Sequence, residues 1–339
     1  MAEPAIAATL SAMATFAVTG ATGGAGRVFC ERAIADGHHV RALVRSCDKA
    51  RELERLGVEL VEGSLDDAAS LDALCKARDV LVHAAAHVGD WGDRDTFFRV
   101  NVDGTRNVFE AAARQSVTRA VHISSVAVYG RPREGNITET RAPQLTGAVY
   151  EDSKIGAERA AFEVGEKSAL EVVALRPPVI FGPYDRAFVP RVLHLLKKRM
   201  ALLVDRGEAS LNCVDAHDLA DGILRASTVD AVKGEAFNLA SMPVPTIAQV
   251  VKTIAEAAHL RPPSVSLPFP LALAAGIAME RVFAIAAPTR PPPLSRQLVM
   301  QMSLRVVYDS SKAREVLGWQ GGRAPLDALA RTVREHFVN

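Results

Sequence analysis

A short apolar strand, a glycine-rich turn and a helix follow one another near the start of the chain, in the sequence FAVTGATGGAGR. Gly20, Gly23 and Gly26 are spaced as GxxGxxG. Glycine lets the backbone turn tightly and approach a ligand closely, and the N-terminus of the next helix favours a pyrophosphate. A purely structural turn is the alternative for such a motif taken alone. The flanking strand and helix favour a dinucleotide-binding turn.

Apolar strands and helical patterns alternate through the first half of the chain. Strands are predicted over 16–18, 38–45, 58–63, 79–86 and 119–130, and helices over 27–36, 47–57, 68–77 and 94–115. Buried strands joined by helices form a parallel sheet that is covered on both faces. We therefore expect an α/β fold of the doubly wound Rossmann type, with ligands at the carboxyl ends of the strands.

The second half of the chain is less regular. Residues 171–183 are expected to return to the sheet, whereas 191–203 form an amphipathic helix and repeated prolines interrupt the pattern further on. We expect residues 1–13 to be a flexible tail and 14–176 to form an NAD(P)-binding Rossmann domain. Residues 177–339 are expected to form mainly a smaller C-terminal substrate-binding lobe, with some segments in the sheet.

Composition narrows the class of protein. The formal net charge is +1, so there is no electrostatic reason to expect a nucleic-acid partner. The four cysteines lack a CxxC pair, which favours reduced thiols in the cytoplasm and predicts no metal site. The longest apolar stretch, 271–287, is interrupted by Glu280 and Arg281 and falls short of a membrane span. No secretory signal is expected at the N-terminus.

Tyr150 and Lys154 stand four residues apart in the segment GAVYEDSKIGAERAA. Residues with that spacing project from one face of a helix, so the cation of Lys154 can lie beside the phenol of Tyr150. A neighbouring positive charge favours a phenolate. A tyrosine tuned in this way can donate or accept the proton that accompanies hydride transfer to a carbonyl. Ser125, at the end of a predicted buried strand, is positioned to hydrogen-bond the same carbonyl oxygen.

Arg45 ends the second predicted strand, where an acidic residue would bind the ribose 2′-hydroxyl of NAD. A guanidinium group suits a 2′-phosphate instead. NADP(H) is therefore the favoured cofactor, and NAD(H) is the alternative. A solvated surface arginine is the structural alternative for this residue.

Several motifs occur in the order typical of the extended short-chain dehydrogenase/reductase family, which the chain resembles over residues 14–320. The motifs are TGATGGAG, HAAAHVG, NVDGT, SSVAVYG, YEDSK, LRPPVIFGP and DSSKAREVLGW. The resemblance implies that Ser125, Tyr150 and Lys154 form the catalytic triad, and that Lys154 also holds the nicotinamide ribose.

The same resemblance implies a row of cofactor contacts. The implied contacts are Gly20, Thr22, Gly23, Gly24, Ala25 and Gly26 at the phosphates, Ser64 and Leu65 at the adenine, Ala84, Ala85 and Ala86 under the cofactor, Asn101 beside them, and Pro177, Pro178 and Val179 at the nicotinamide. The family often has aspartate where Ser64 stands, so this chain departs from the pattern at the adenine end.

Three local features bear on the branch of the family. A sugar-nucleotide epimerase that retains NAD would usually carry an acid at Arg45. Such enzymes also place an arginine on the substrate diphosphate where this chain has Leu211. Dehydratases carry an Asp–Glu pair after the catalytic hydroxyl, whereas Val126 and Ala127 follow Ser125 here. These features favour carbonyl reduction or alcohol oxidation on a less polar substrate.

The run SLPFPLALAAGIAMERVFAIAAPTRPPPLSRQLVM resembles the substrate cap of 3β-hydroxysteroid dehydrogenase-like and dihydroflavonol reductase-like members. We therefore predict an NADPH-dependent reductase, or reverse dehydrogenase, of a ketone on a bulky apolar molecule such as a keto-lipid, steroid-like or aromatic compound. Val88, Trp91 and Ser125 are predicted to face this substrate. Segment 267–287 is expected either to pack in the lobe and line an apolar pocket or to make a peripheral membrane contact.

Two other functions stay open from the sequence. A sugar-nucleotide epimerase would use bound NAD transiently and consume none. A non-enzymatic NADP-sensing regulator would share the fold, although such proteins often lose the Tyr–Lys pair. By family analogy, helices over 99–114 and 150–163 are expected to pair two copies into a homodimer.

Overall fold

The computed structural model describes residues 13–89, 92–286 and 294–338. Residues 1–12 of the expected tail lie outside the described residues, and so does Trp91, which was predicted to face the substrate.

Strands and helices alternate through most of the described chain. The strands are β1 (Thr15–Thr19), β2 (His39–Val44), β3 (Glu59–Glu62), β4 (Val80–His83), β5 (Arg119–Ile123), β6 (Glu134–Ile137), β7 (Glu171–Arg176), β8 (Val179–Phe181), β9 (Leu203–Val204), β10 (Cys213–Asp215), β11 (Ala236–Asn238), β12 (Ser266–Leu267) and β13 (Arg305–Tyr308). The helices are α1 (Gly24–Ala35), α2 (Arg51–Arg55), α3 (Ala68–Cys75), α4 (Arg94–Phe98), α5 (Gly104–Arg114), α6 (Val149–Glu166), α7 (Phe188–Lys197), α8 (Ala216–Thr228), α9 (Ile247–Ala257), α10 (Phe269–Ala286), α11 (Arg296–Gln301), α12 (Ser311–Val316) and α13 (Pro325–His336).

Seven parallel strands form the central sheet, in the order β3–β2–β1–β4–β5–β7–β11. The chain runs outward from β1 in one direction to β3 and then crosses back to β4. This reversal creates a crevice at the carboxyl ends of β1 and β4, where ligands bind in folds of this class. The predicted Rossmann-type parallel sheet is confirmed.

Helices cover both faces of the sheet, and every residue of the central strands β4 and β5 is therefore buried. On one face, Phe29 of α1 and Ile223 of α8 pack in a core with Phe16 of β1. On the other, Leu74 of α3 and Phe109 of α5 pack in a second core. Burial on both sides explains why these strands are mostly apolar in the sequence, with His83, Arg119 and His122 as the exceptions.

The second half of the chain adds smaller units beside the sheet. β8 pairs with β10, β9 with β12, and β6 with β13. Helices α7, α9 and α13 share one apolar cluster. Helices α10 and α11 share another with β9 and β12, and we call α10, α11, β9 and β12 the cap. β11 lies in the central sheet, so residues after 176 contribute to both parts.

Several predicted elements differ from the observed ones. The helix predicted over 191–203 is Phe188–Lys197, and Leu203 lies in β9. Of the segment 171–183, β7 joins the central sheet, whereas β8 pairs with β10 outside it.

The strand predicted over 119–130 ends at Ile123, and residues Val126–Tyr129 form a short 3₁₀ helix with Ser125 as its N-cap. The Ser125 hydroxyl accepts a hydrogen bond from the Ala127 amide, so the chain turns where the pattern suggested continued strand. The helix predicted over 94–115 contains a π-helical segment, Arg99–Asp103.

No helix in the described parts of the chain has the length and hydropathy needed to cross a bilayer.

Candidate active site and nucleotide cleft

The glycine turn connects β1 to α1 at the crevice of the sheet. Gly20 has φ +75°, and a Cβ atom there would lie 2.5 Å from the Ala84 carbonyl carbon. A Cβ atom on Gly26 would lie 2.3 Å from the Gly20 oxygen. Both glycines are therefore required by backbone packing, since a side chain on Gly20 would clash with the backbone after β4 and one on Gly26 would clash with the turn itself.

The N-terminus of α1 faces outward from this turn. Gly23 is the N-cap, and the first intrahelical bond runs from the Arg27 amide to the Gly23 oxygen at 2.9 Å. The amides of Gly24, Ala25 and Gly26 precede that bond, so they have no helical carbonyl to bind. Thr22 and Gly23 are exposed beside them. These donors and the helix dipole fit a pyrophosphate.

Arg45 follows β2 directly and is exposed at the same edge of the sheet. Within the described residues its guanidinium makes no ion pair, whereas Arg51 nearby pairs with Asp48 at 2.6 Å. Ser64 and Leu65 follow β3, and the Leu65 carbonyl accepts a hydrogen bond from Asn107 at 2.9 Å. The predicted ribose and adenine contacts thus lie at neighbouring strand ends.

Buried His83 connects the end of β4 to the end of β1 and to α5. Its Nδ1 lies 2.7 Å from the Thr19 hydroxyl, and its Nε2 lies 2.9 Å from the Thr105 hydroxyl. Burial, reinforced by the charge of Lys154, lowers the pKa of His83 to about 3. Thr105 donates to the Asn101 carbonyl at 2.5 Å, so it must accept from Nε2–H. The neutral ring therefore accepts at Nδ1 from Thr19.

This chain of bonds supports the loop over 84–87. The Ala84 amide donates to the Thr19 carbonyl at 3.1 Å, and the Ala85 amide lies 3.4 Å from the Thr19 hydroxyl. Ala85 and Ala86 are half-buried along the crevice. The predicted cofactor loop is fixed at its start by backbone and side chain of one residue, Thr19.

Asn101 fixes the other end of that loop. Its Oδ1 accepts from the His87 amide at 2.6 Å, and its Nδ2 donates to the His87 carbonyl at 3.0 Å. Nδ2 also lies 2.9 Å from the Ser153 hydroxyl on α6. Asn101 lies in the π-helical segment, and π segments often occur where a side chain has a functional position.

Lys154 ties α6 to the end of β5. It is 3% exposed, and its Nζ donates to the Ile123 carbonyl at 2.8 Å, two residues before Ser125. Burial lowers the pKa of Lys154 to about 8, and the carboxylate of Glu158 opposes this shift. The structure therefore brings the Ser125 turn and the helix of Tyr150 and Lys154 to one corner.

Tyr150 is the second residue of α6 and is half-buried. Its ring lies 6.4 Å from the Phe97 ring, and Phe97 packs on His87 at 4.3 Å. Glu151 and Asp152 hold the preceding loop, because Glu151 accepts from the Thr146 hydroxyl and Asp152 accepts from the Thr146 amide. These hydrogen bonds from the loop to the first turn hold the start of α6 in place at the site.

Pro177, Pro178 and Val179 connect β7 to β8 beside the Ser125 turn. The Pro177 carbonyl accepts from the Val126 amide at 3.1 Å. Just before it, Arg176 pairs with Glu158 of α6 at 2.5 Å and donates to the Tyr129 hydroxyl at 2.8 Å. This buried ion pair holds β7, α6 and the Ser125 turn together.

Exposed apolar side chains lie at the mouth of this corner. Val88 is 67% exposed after the His87 loop, and Leu145 is 69% exposed in the loop before α6. A cavity of about 290 Å³ lies where the chain after the Ser125 turn meets the cap. Its lining consists of Arg131, Arg133, Asp205, Phe269, Met300, Gln301, Ser303 and Leu304. Arg131 pairs with Glu151, the neighbour of Tyr150, at 3.1 Å.

Sequence reasoning missed several supporting residues. Thr19, His83, Thr105 and Ser153 bond the predicted site residues to one another. Each lies within one of the family motifs, but the resemblance gave it no role. The position of His83 at the end of a buried strand was a usable signal, because a buried imidazole needs hydrogen-bond partners.

Comparison with known proteins defines the class of protein. Residues 16–240 match the NAD dependent epimerase/dehydratase family. The chain belongs to that family, which confirms its resemblance to the extended short-chain dehydrogenases/reductases, and it is an NAD(P)-dependent oxidoreductase.

Similar proteins include two reductases. The 2-alkyl-3-oxoalkanoate reductase of Shewanella oneidensis is 31% identical over 316 residues, covering 89% of this chain and 81% of that protein. The 4-hydroxy-2-methyl-3-oxo-4-farnesyl-3,4-dihydroquinoline-1-oxide ketoreductase of Stigmatella aurantiaca is 30% identical over 322 residues. The match covers 94% of this chain and 96% of that protein. The crystal structure of gox2253 has a TM-score of 0.79 at 27% identity, covering 96% of this chain and 99% of that one.

The cleft and the family agree on the cofactor class. The glycine turn, the free amides of α1 and the loop over 84–87 suit a dinucleotide along the carboxyl edge of the sheet. When bound, a nicotinamide supplies a hydride donor or acceptor.

Proposed function

We propose that the protein is an NADPH-dependent ketone reductase, or the reverse dehydrogenase, with Tyr150 as proton donor. The ketone carbon gains a hydride and its oxygen gains the Tyr150 proton, so ketone, NADPH and one proton give alcohol and NADP⁺. The observation that carries this proposal is Lys154, a buried cation hydrogen-bonded at the end of β5 and one helical turn from Tyr150.

Each proposed catalytic residue has a distinct role. Lys154 favours the charged phenolate left when Tyr150 has given its proton, and it holds the nicotinamide ribose. Ser125 donates a hydrogen bond to the carbonyl oxygen, where negative charge develops. The Arg176–Glu158 pair is a positioning element, because it contacts α6 and the Tyr129 hydroxyl rather than the reacting atoms.

The preference for NADPH is supported by Arg45. It is exposed at the end of β2 and is without an ion-pair partner among the described residues. A 2′-phosphate would give this guanidinium two strong, charge-assisted hydrogen bonds. In our proposal the pyrophosphate lies at Gly23–Gly26, the adenine beside Ser64 and Leu65, and the nicotinamide beside Pro177–Val179.

An apolar substrate is supported by the exposed side chains at the mouth of the site. Val88 and Leu145 flank the corner, and Phe269, Met300 and Leu304 give the adjoining cavity an apolar wall. Leu211 packs in an apolar cluster where a sugar-nucleotide enzyme of the family would hold a diphosphate with arginine. Two relatives are named as reductases of a 2-alkyl-3-oxoalkanoate and of a farnesylated quinoline oxide, both with long or branched hydrocarbon parts, which favours a similar class here.

We also propose a homodimer that pairs α5 and α6 of two copies, located in the cytoplasm. Its test is light scattering, in which a stable monomer at micromolar concentration would contradict it.

The reductase proposal is tested by measuring NADPH oxidation with three substrate classes. We expect turnover with 2-alkyl-3-oxoalkanoates or prenylated aromatic ketones, and none with UDP-sugars. An epimerase would instead purify with bound NAD, interconvert UDP-sugars and consume no NADPH. That second pattern would overturn the proposal.

A further inference from the structure

The cap helix α10 has an apolar face that nothing in the described structure covers. Ala272 is fully buried, and a Cβ atom on Gly276 would lie 3.1 Å from the Arg296 amide, so this side faces α11. On the opposite side, Leu271 is 60% exposed and Val282 is 59% exposed. Exposed Ala274 and Ala278 lie between them, and the spacing 271, 274, 278, 282 defines one helical face.

Two more hydrophobic side chains extend this face. Met200 is 52% exposed and Val265 is 56% exposed. Their segments are neighbours, because the Leu203 amide donates to the Val265 carbonyl at 3.0 Å as β9 joins β12. Met200, Val265 and the exposed stripe of α10 form what we call the apolar surface. Apart from Met13, the other large hydrophobic side chains that are more than half exposed in the described chain are Val88 and Leu145, at the site mouth.

Positive charge is concentrated beside the apolar surface. Residues 186–204 contain five lysines and arginines and no acidic residue, although the whole chain has a net charge of only +1. Lys197, Lys198 and Arg199 are exposed at the end of α7, next to Met200, and Arg261 is exposed before β12. These four cations form the basic cluster, and none of them makes a salt bridge within the described residues.

Three nearby carboxylates are held by groups outside the basic cluster. Asp205 accepts a hydrogen bond from the Phe269 amide at 2.9 Å, and Glu280 accepts one from the Arg296 amide at 2.8 Å. Glu208 pairs with Arg305 at 3.0 Å. Asp205 and Glu280 therefore hold amides of the cap, and Glu208 is paired with a cation outside it.

We infer that the apolar surface and the basic cluster dock the protein on an anionic lipid bilayer. Apolar side chains enter the boundary between headgroups and acyl chains, and the cations attract anionic headgroups. A second copy is a poorer occupant, because a symmetric contact would bring two basic clusters together. α10 starts at Phe269 in the cavity wall, so docking brings the cavity close to lipid. Lipid binding needs no substrate, so it stands independently of the proposed reaction.

The test is co-sedimentation of the full chain with vesicles. One set is phosphatidylcholine, and the other is equal parts phosphatidylcholine and phosphatidylglycerol. We expect binding to the anionic vesicles that weakens at high salt, with little binding to the neutral ones. Equal binding to both sets, or no binding to either, would overturn the docking proposal.

Two variants separate the apolar and charged contributions. L271D with V282D and, separately, K197E with K198E and R199E should each weaken vesicle binding at least about tenfold. The matched controls are L56D with V316D, and K49E with R55E and K76E, which change exposed positions elsewhere. NADPH oxidation with a water-soluble ketone should be unchanged in all four. Loss of self-association in L271D with V282D, with lipid binding intact, would identify a second copy as the occupant and contradict the proposal.

Discussion

Around Lys154 the protein holds its elements with buried, directional polar bonds, whereas the cap around α10 is held mainly by apolar contacts. In the first region, Lys154 bonds the Ile123 carbonyl and Arg176 pairs with Glu158, all nearly inaccessible to solvent. In the second, Ala272 and Val299 pack in a small cluster while Leu271 and Val282 face outward.

This difference separates two tasks. Proton transfer requires a fixed geometry, since an error of about 1 Å can cost two orders of magnitude in rate. Hydrogen bonds between buried groups supply that precision because each has a preferred direction and length. Apolar contacts are non-directional, so the cap can change its side chains to fit another substrate without disturbing the chemistry.

The largest expected effect is at the proton donor. Tyr150→Phe should lower kcat by about 10²–10⁴-fold, because the general acid is lost, and leave the Kd for NADPH unchanged. Steady-state kinetics and fluorescence titration measure the two quantities. Tyr308→Phe is the matched control, since it removes a tyrosine hydroxyl from the β6–β13 region. Comparable losses in both variants would contradict the assignment.

The buried Arg176–Glu158 ion pair should contribute more to the free energy of unfolding than an exposed pair does. Glu158→Gln leaves the Arg176 guanidinium buried without its carboxylate, and we expect the free energy of unfolding to fall by about 3–5 kcal/mol. Urea denaturation measures this change. Glu256→Gln breaks the exposed pair with Lys252 and should change the free energy by less than about 1 kcal/mol. Similar losses of unfolding free energy in the two variants would contradict the special role of the buried polar bonds around Lys154.

The pH dependence should report the charge of Lys154. Its lowered pKa of about 8 means that the ammonium is present below that pH and is lost above it. We therefore expect kcat/KM for reduction to fall as pH rises through about 8. Lys154→Arg keeps its charge, so the same fall should be absent there even if the rate is lower. If the Lys154→Arg variant showed the same fall in kcat/KM as the parent protein, the fall would belong to the titration of another group.

The cofactor preference should depend on Arg45. Arg45→Asp should raise the Kd for NADPH by about 10–100-fold and leave that for NADH within a few-fold, because charge-assisted bonds to the 2′-phosphate are lost. Lys49→Asp, which makes the same charge change nearby, is the control. Equal affinities of the parent protein for NADPH and NADH would refute the preference.

The smallest effect is expected in the cap. Met300→Trp should partly fill the cavity and lower kcat/KM for a bulky ketone by about tenfold, with little change for a small one. Leu56→Trp, at the exposed position directly after α2, is the control. A uniform loss with all ketones would mean that the change disturbs the catalytic corner instead.

Local patterns were sufficient for the sheet and for much of the site. The alternation of strands and helices predicted the Rossmann-type sheet, and the GxxGxxG spacing predicted the turn at β1 and α1. The four-residue spacing of Tyr150 and Lys154 predicted their shared helix, because i and i+4 lie on one face whatever the rest of the fold does.

The rest depended on contacts between distant residues. Only tertiary structure decided that the strand stops at Ile123, where β7 and α6 bind the turn of Ser125. It also decided that His83 joins Thr19 to Thr105, and which face of α10 remains outside. Sequence periodicity records which residues are apolar, whereas burial, hydrogen-bond partners and the lowered pKa of Lys154 arise when segments far apart in the chain exclude water together.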